Sequence, residues 1–276
     1  MIIFTDRTGQ LSNQLFEFST FIANSLENDS RLVNLFFTDY QEYFRGPAEQ
    51  HHLIRTSFGK PYIDKFLRKL VQYPWVRGLF SLFNGFIRGD GNTPQDIHAV
   101  NSKGIILLKE GAWFTDFENF YKYEKELKAY FTPTHKYTDR INNFISDCRT
   151  NHEILVGIHI RKGDYKEFLG GQFYFEQEVY RDKALQAARL FPGKKVGFII
   201  CSNEAVNLAD FSPLTAYRGL GHFIEDLYTL AQCDYIMGPP STFTMWASFY
   251  GNKPLLKIRN NDQVIHKEDF KIDSAY

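Results

Sequence analysis

The stretch that decides the fold is Ile154-Leu-Val-Gly-Ile-His-Ile-Arg-Lys-Gly-Asp-Tyr165. A hydrophobic run stops at a histidine and an arginine, then turns through Gly163-Asp164. In an extended strand successive side chains alternate, so Leu155, Gly157, His159 and Arg161 share one face and Ile154, Val156, Ile158 and Ile160 the other. His159 and Arg161 therefore point the same way at the carboxyl end of a strand, where open α/β sheets bind their ligands. Gly157, with no side chain, leaves room for something to approach behind them. A buried arginine is costly unless paired, and its planar fork suits a phosphate. The plainer alternative is an ion pair between Arg161 and Asp164 across the turn.

The residues that follow alternate cleanly. Strand Ile154–Ile160 precedes a helix near Glu176–Leu190 that Pro192-Gly193 ends. Strand Val196–Cys201 and a short helical piece from Asn203 come next. Ile224, Leu227, Tyr228 and Ala231 mark a helix at i, i+3, i+4, i+7. Strand Tyr235–Met237, helix Ser241–Tyr250 and strand Pro254–Ile258 complete the half. Strands alternating with helices predict a parallel sheet. The segment Gly238-Pro-Pro-Ser-Thr-Phe-Thr244 runs from a strand into a helix that Ser241 or Thr242 is placed to cap. That helix start favours a phosphate through its N–H groups and dipole. With Arg161 it predicts a diphosphate held between a cation and a helix N-terminus. Asp226, on the polar side of its helix, reads on its own as a solvated residue.

The other half opens β-α-β: strand Ile2–Thr5, a helix carrying Leu11, Leu15, Phe18, Ile22 and Leu26, then strand Arg31–Phe37. Residues 60–88 are amphipathic and basic, with Lys60, Lys65, Arg68, Lys69, Arg77 and Arg88 against Asp64 alone. Phe66, Leu67, Leu70 and Val71 form one apolar face, which Trp75, Val76, Leu79, Phe80, Phe83 and Ile87 continue beyond Pro74. The simpler reading is a pair of helices packed on the core; the other is a surface held near anionic lipid or a lipid-linked acceptor. Gly89–Gly104 reads as a loop, Gly104–Glu110 as a strand and Trp113–Tyr130 as a helix. Tyr137, Ile141, Phe144, Ile145 and Cys148 mark a helix linking the halves.

With 276 residues the chain has room for two domains, expected at 1–150 and 151–276. Lys+Arg and Asp+Glu both number 32, so no basic footprint points to nucleic acid. Hydrophobic residues make up 43% and aromatic ones 17%, which supports a packed core; some rings are candidates for a sugar site. Three dispersed cysteines, no leader-like Met1–Gln10 segment and no apolar run of about 20 residues predict a cytoplasmic protein, with the inner membrane face a place for residues 60–88. The G-x-G-x-x-G, G-x-x-x-x-G-K-[ST] and D-x-D patterns are missing. His51-His52 and His152 lack metal-ligand companions at useful spacing.

Four ordered motifs carry a resemblance. His159-Ile-Arg-Lys-Gly-Asp-Tyr165 resembles the H-x-R-x-G-D-Y motif of bacterial α-1,2-fucosyltransferases, with related arginine motifs in α-1,6- and protein O-fucosyltransferases. Gly9-Gln-Leu-Ser-Asn-Gln-Leu-Phe16 is similar to their G-x-L-G-N-Q-x-F, with Ser12 replacing a Gly. Asp226-Leu-Tyr-Thr-Leu-Ala231 resembles their D-L-Y/F-x-L helix. Ser241-Thr-Phe-Thr-Met-Trp246 resembles S-S-F-S-W-W, with Thr242, Thr244 and Met245 departing from it. Gly111-Ala-Trp-Phe-Thr115 follows their G-Y-x-Q only loosely.

The resemblance implies a GT-B fold of two Rossmann-like α/β domains facing across a cleft. It implies a GDP-fucose donor, no metal, and inverting transfer of fucose to a glycan or lipid-linked oligosaccharide, at O-2 of a galactoside. By the same resemblance Arg161 holds the β-phosphate and His159 contacts the nucleotide. Asp226 accepts hydrogen bonds from the guanine edge. Ser241, Thr242 and Phe243 hold the phosphates, and Asn13 and Gln14 bind GDP-fucose, Asn13 reaching the donor from the N-terminal domain, where the acceptor also binds. Asp164, Glu167 and Asp6 are candidate bases by residue type, and a dissociative mechanism needs none. Another GDP-sugar such as GDP-mannose, or sugar-nucleotide binding without turnover, fits the same residues.

Overall fold

A computed structural model describes residues 1–4, 7, 9–49, 51–82, 86–88, 95–97, 106–109 and 114–272. The chain divides into two compact units, Met1–Thr134 and His135–Tyr276. The first contains β1 (Ile2–Phe4), α1 (Leu11–Glu27), β2 (Leu32–Val33), α2 (Arg45–Ala48), β3 (Ile54–Arg55), α3 (Pro61–Gln72) and α4 (Pro74–Leu82). It continues with β4 (Phe86–Arg88), β5 (Gln95–Asp96), β6 (Ile106–Lys109), β7 (Phe114–Thr115), α5 (Phe117–Lys122) and α6 (Glu124–Tyr130). Its main sheet is parallel throughout, in the order β3-β2-β1-β6-β4, and β5 pairs with β7 apart from it. Phenylalanines fill its interior. The Phe18 ring centroid lies between 5.2 and 5.9 Å from those of Phe4, Phe37, Tyr130 and Phe131, distances at which edge-to-face pairs add to plain burial.

Several elements here differ from the sequence pattern. Arg31–Phe37 is a strand only at Leu32–Val33, because the Asn34 side chain accepts the Phe36 amide at 3.1 Å and turns the chain into a 3-10 turn at Phe37–Asp39. The Trp113–Tyr130 pattern forms two helices. Asp116 caps the first by accepting from Asn119 N, and the second restarts after Tyr123. Residues 60–82 do form a helix pair, but Phe66 is exposed, so the apolar face is not all packed on a core. Thr5, Asp6, Phe83, most of the Gly89–Gly104 loop and Gly111–Trp113 lie outside the described residues.

The second unit contains α7 (His135–Arg149), β8 (Ile154–Ile160), α8 (Gln177–Arg189), β9 (Val196–Ser202), β10 (Thr215–Arg218), α9 (Phe223–Gln232), β11 (Tyr235–Gly238), α10 (Thr242–Gly251), β12 (Pro254–Lys257) and β13 (Lys271–Ile272). The sheet order is β10-β9-β8-β11-β12-β13, parallel up to β12 and antiparallel at β13. Counted along the chain this is third, second, first, fourth, fifth, so the order reverses between β8 and β11. In doubly wound sheets that reversal opens a crevice at the carboxyl ends of the two strands. One sheet face, with Val156, Ile158, Ile160, Phe198, Ile200, Met237 and Leu256, packs on Tyr180, Ala184 and Ala187 of α8. The other receives α9. A Cβ on Gly157 would come within 2.5 Å of a Leu230 methyl and 3.0 Å of Cys233 Sγ, so the close approach that Gly157 permits is that of a packed helix.

The α7 helix belongs to this second unit. Arg149 grips Asp234 with both terminal nitrogens at 2.9 and 3.0 Å, and Arg140 reaches the fully buried Glu225 of α9 at 2.7 Å. No helix among the described residues is long and apolar enough to cross a membrane.

Candidate functional site

The β8–β11 reversal gathers His159, Arg161 and the Ser241–Phe243 segment of the second unit. Pairing of Met237 with Ile158 brings Gly238 beside His159. A Cβ on Gly238 would lie 3.0 Å from the His159 carbonyl oxygen and 3.2 Å from both His159 Cβ and Thr244 Cγ2. A side chain here would make these neighbours give way by a few tenths of an ångström. The His159 ring is buried and stacks on Phe243, with centroids 4.6 Å apart and planes at 28°. Burial pulls its pKa from 6.5 to about 3; Arg161 adds to the fall and Asp164 opposes it. The imidazole is therefore neutral at physiological pH, and its buried Nδ1 has no hydrogen-bond partner among the described residues.

Arg161 follows the last strand residue, with 17% of its side chain exposed. Its Nη2 donates to Asp164 Oδ2 at 2.8 Å, and its guanidinium lies 5.6 Å from the Tyr165 ring centroid. The Arg161–Asp164 ion pair foreseen across the turn is thus present. Asp164 is half exposed, and such pairs are worth at most about 1 kcal/mol. A polyanion can compete for the same guanidinium. The turn itself is held firmly. Gly163 adopts a left-handed φ of 58°, and the Lys162 amide donates to Asn203 Oδ1 at 3.1 Å. The Tyr165 hydroxyl donates to the Pro240 carbonyl at 2.8 Å, which ties the loop after β8 to the loop before α10.

Of the two candidates, Ser241 is the cap: its Oγ accepts from Phe243 N at 3.1 Å and Thr242 is the first helical residue. Thr244 Oγ1 donates to the Ser241 carbonyl at 3.0 Å and steadies the same turn.

Asp226 is not a solvated helix residue. It is 6% exposed and lies in the first turn of α9. The Gly221 amide donates to its Oδ1 at 3.0 Å. A Cβ on Gly219 would stand 2.6 Å from that oxygen and 2.9 Å from Cys201 Sγ. Burial pushes the Asp226 pKa up to about 6 against the Gly221 hydrogen bond, and the neighbouring Glu225 charge adds to the rise. The carboxylate lines a cavity of about 260 Å³ with Ser202, Asn203, Glu204, Arg218 and Gly219, at the carboxyl ends of β9 and β10. Sequence reasoning did not find this cavity. The one signal for it was Gly219-Leu-Gly221 just ahead of the Asp226 helix. It likewise assigned no role to Tyr165.

In the first unit, Asn13 and Gln14 sit in the opening turn of α1. Gln14 is buried, and its Nε2 donates to the Gly9 carbonyl at 3.1 Å. Gly9 has a φ of 52°, and a side chain there would collide with the Asn13 amide. Gln14 therefore shapes the turn, while Asn13 is half-buried beside it. Of the candidate bases, Asp164 and Glu167 are solvent-exposed, and Asp6 lies outside the described residues. His51 and His52 stack on each other at 4.6 Å, and His152 contacts the Cys148 carbonyl at 3.0 Å. No group of three His, Cys, Asp or Glu side chains suited to a metal occurs among the described residues.

A parallel sheet reversing between its first and fourth strands, with a cation, a neutral imidazole and a capped helix at the reversal, has the Rossmann-like α/β arrangement. The sequence model of Glycosyl transferase family 11 matches residues 109–276. That is more than half of the chain, and the protein belongs to this family of glycosyltransferases. Solved structures agree in fold. Arabidopsis thaliana FUT1, a mutant in complex with GDP, superposes with a TM-score of 0.63 at 11% identity, covering 94% of this chain and 71% of its own. The fucosyltransferase NodZ from Bradyrhizobium gives 0.58 at 17% identity, covering 93% and 94%. POFUT1 in complex with GDP-fucose gives 0.59 at 13% identity, covering 94% and 96%. A search of curated protein sequences finds no match. The α/β architecture with parallel sheets is that of these GT-B-like fucosyltransferases.

Proposed function

We propose that the protein transfers L-fucose from GDP-fucose to a sugar hydroxyl, with inversion at the anomeric carbon. The observation that carries this reading is the meeting of Arg161 and the Ser241-capped helix at the β8–β11 reversal, with the Asp226-lined cavity in the same unit. The neighbours solved with GDP or GDP-fucose support the choice of donor.

In this reading the guanine occupies the cavity, where the Asp226 carboxylate accepts hydrogen bonds from the base edge. The diphosphate lies between Arg161 and the start of α10, with Ser241, Thr242 and Phe243 along it. His159, neutral and stacked on Phe243, offers its unspent ring nitrogen to the nucleotide. As the bond from fucose C1 to the β-phosphate oxygen breaks, negative charge grows on the diphosphate. Arg161 and the helix N-terminus oppose that charge, and a preorganised donor of this kind is worth roughly 10²–10³ in rate. The acceptor oxygen attacks C1 from the opposite face and gives its proton to Asp164, to Glu167 or to water.

The acceptor is assigned to the first unit, from which Asn13 reaches the donor while Gln14 holds the turn beside it. The acceptor is assigned as a glycan or lipid-linked oligosaccharide with a galactoside O-2 as the target, in the cytoplasm and without metal. Incubation with GDP-fucose and an acceptor panel, in EDTA, tests this through released GDP and the linkage of the product. Turnover of GDP-mannose in preference to GDP-fucose reassigns the donor. Tight GDP binding without release from any donor–acceptor pair makes the protein a binder.

A further inference from the structure

The helix pair α3–α4 carries an apolar surface that neither unit's core absorbs. On α3, Tyr62, Phe66 and Lys69 recur at i, i+4 and i+7, so they stand on one face, and Tyr73 follows as the extended residue that ends the helix. On α4, Trp75, Leu79 and Leu82 recur at i, i+4 and i+7. Tyr62, Phe66 and Tyr73 are 68%, 62% and 52% exposed, and Trp75, Leu79 and Leu82 are 65%, 48% and 79% exposed. The opposite faces are inward: Asp64, Val71 and Val76 are buried. Tyr73 and Trp75 face each other with ring centroids 6.5 Å apart and join the two stripes. Single exposed apolar residues are ordinary, but a contiguous patch marks an interaction surface.

The charges say what covers it. Lys60, Lys65 and Lys69 are exposed beside the stripe. Asp64 is the only acidic residue between 60 and 88. Its carboxylate is buried and spent within the fold, accepting from Ser57 Oγ at 2.5 Å and from Phe58 N at 2.8 Å. The exposed face thus carries cations and no anion. Lysine is depleted in protein–protein contacts. A symmetric dimer through this face would set like charges against each other. Tyrosine and tryptophan mixed with lysine is instead the composition of a surface lying at lipid headgroup level, where aromatic rings sit at the interface and lysine stems reach back to phosphate.

We propose that the α3–α4 face docks on the surface of an anionic bilayer, with Phe66, Trp75, Leu79 and Leu82 entering the headgroup–acyl boundary and Lys65 and Lys69 contacting lipid phosphates. The inference rests on this surface alone and stands whether or not the donor assignment does.

Vesicle flotation tests it, with phosphatidylcholine alone and with phosphatidylglycerol added. The protein should float with the anionic vesicles, stay behind with phosphatidylcholine, and be released by salt. Binding should shift the Trp75 emission to the blue, a change lost in Trp75→Phe. The pairs Phe66→Ser/Leu82→Ser and Lys65→Glu/Lys69→Glu should each lower the bound fraction by roughly tenfold. Melting temperature should stay within a few degrees of the parent, so loss of binding is not loss of fold. Failure of the parent protein to float with anionic vesicles overturns the proposal, as does binding that neither pair of changes weakens. A concentration-dependent dimer that Phe66→Ser/Leu82→Ser dissociates also overturns it, and gives the face to a second copy of the chain.

Discussion

Both units run a strand through a glycine-containing turn into a helix, and the two turns use their polar groups differently. In the first unit the turn before α1 is spent on itself. Gln14 holds the Gly9 carbonyl, Gly9 takes a left-handed φ under the Asn13 amide, and the helix has no side-chain cap. In the second unit Ser241 caps α10, Gly238 admits the His159 backbone, and the turn leaves a buried imidazole nitrogen unspent. The first is a turn that builds itself. A buried polar atom without a partner is costly unless a ligand or water supplies one, and among the described residues Ser12 Oγ at the start of α1 shares that condition with His159 Nδ1.

The comparison breaks most decisively at Arg161. Arg161→Ala should lower fucosyl transfer by about 10²–10³ or more, with the melting temperature little changed. Steady-state kinetics beside a thermal melt measures both, and near-parental turnover would end the assignment of the diphosphate to this turn.

Asp226→Asn comes next. It should weaken GDP by roughly ten- to a hundredfold, since each hydrogen bond to a charged group contributes about 1.5–3 kcal/mol; titration calorimetry with GDP, ADP and UDP reads both affinity and base preference. The pH dependence has a definite sign. With its folded pKa raised to about 6, Asp226 favours the folded state most when protonated, and that contribution is lost as pH rises through 6. GDP binding needs the carboxylate and should run the other way, strengthening from pH 5 to pH 7. Asparagine should flatten that profile.

A smaller effect separates the two residues of the first turn. Gln14→Ala should cost about 1–2 kcal/mol, roughly 2–8 °C in melting temperature for a chain of this size. Asn13→Ala should leave the melt alone and reduce transfer. A reversed outcome would make Gln14 the substrate residue and Asn13 the structural one. Smallest is Tyr165→Phe, which removes the hydroxyl that donates to Pro240. Several-fold loss in kcat/KM with an unchanged melt would mark a positioning role.

The second unit was nearly all legible in the sequence because its strands are long and apolar. Ile154–Ile160 falls where the alternation put it, and its partner Val196–Ser202 runs one residue past the expected end. What escaped has no periodic signal. The strand Thr215–Arg218 is a four-residue edge of mixed polarity, formed by pairing with β9. The burial of Asp226 depends on two glycines that bring chain against its carboxylate. No helical period reports that. In the first unit, strands of two to four residues were legible at Ile2–Phe4, at Leu32–Val33 and at Ile106–Lys109, within the expected Gly104–Glu110, and Ile54–Arg55 was missed. The arginine site was readable because strand-end geometry and residue chemistry coincide at His159 and Arg161. The cavity was not, since it is assembled from three separate segments.

The arginine grips between α7 and α9 bear on how the chain can be cut. Sequence alone invites a division at residue 150, after α7. A fragment beginning there would discard Arg140 and Arg149, leaving Glu225 as a buried charge with its partner gone and Asp234 exposed at the foot of α9. Since α9 carries Asp226, such a fragment would lose the firmness of its base pocket before it lost its sheet. A fragment beginning at His135 keeps both grips, and is the piece of this protein to ask for nucleotide binding in isolation.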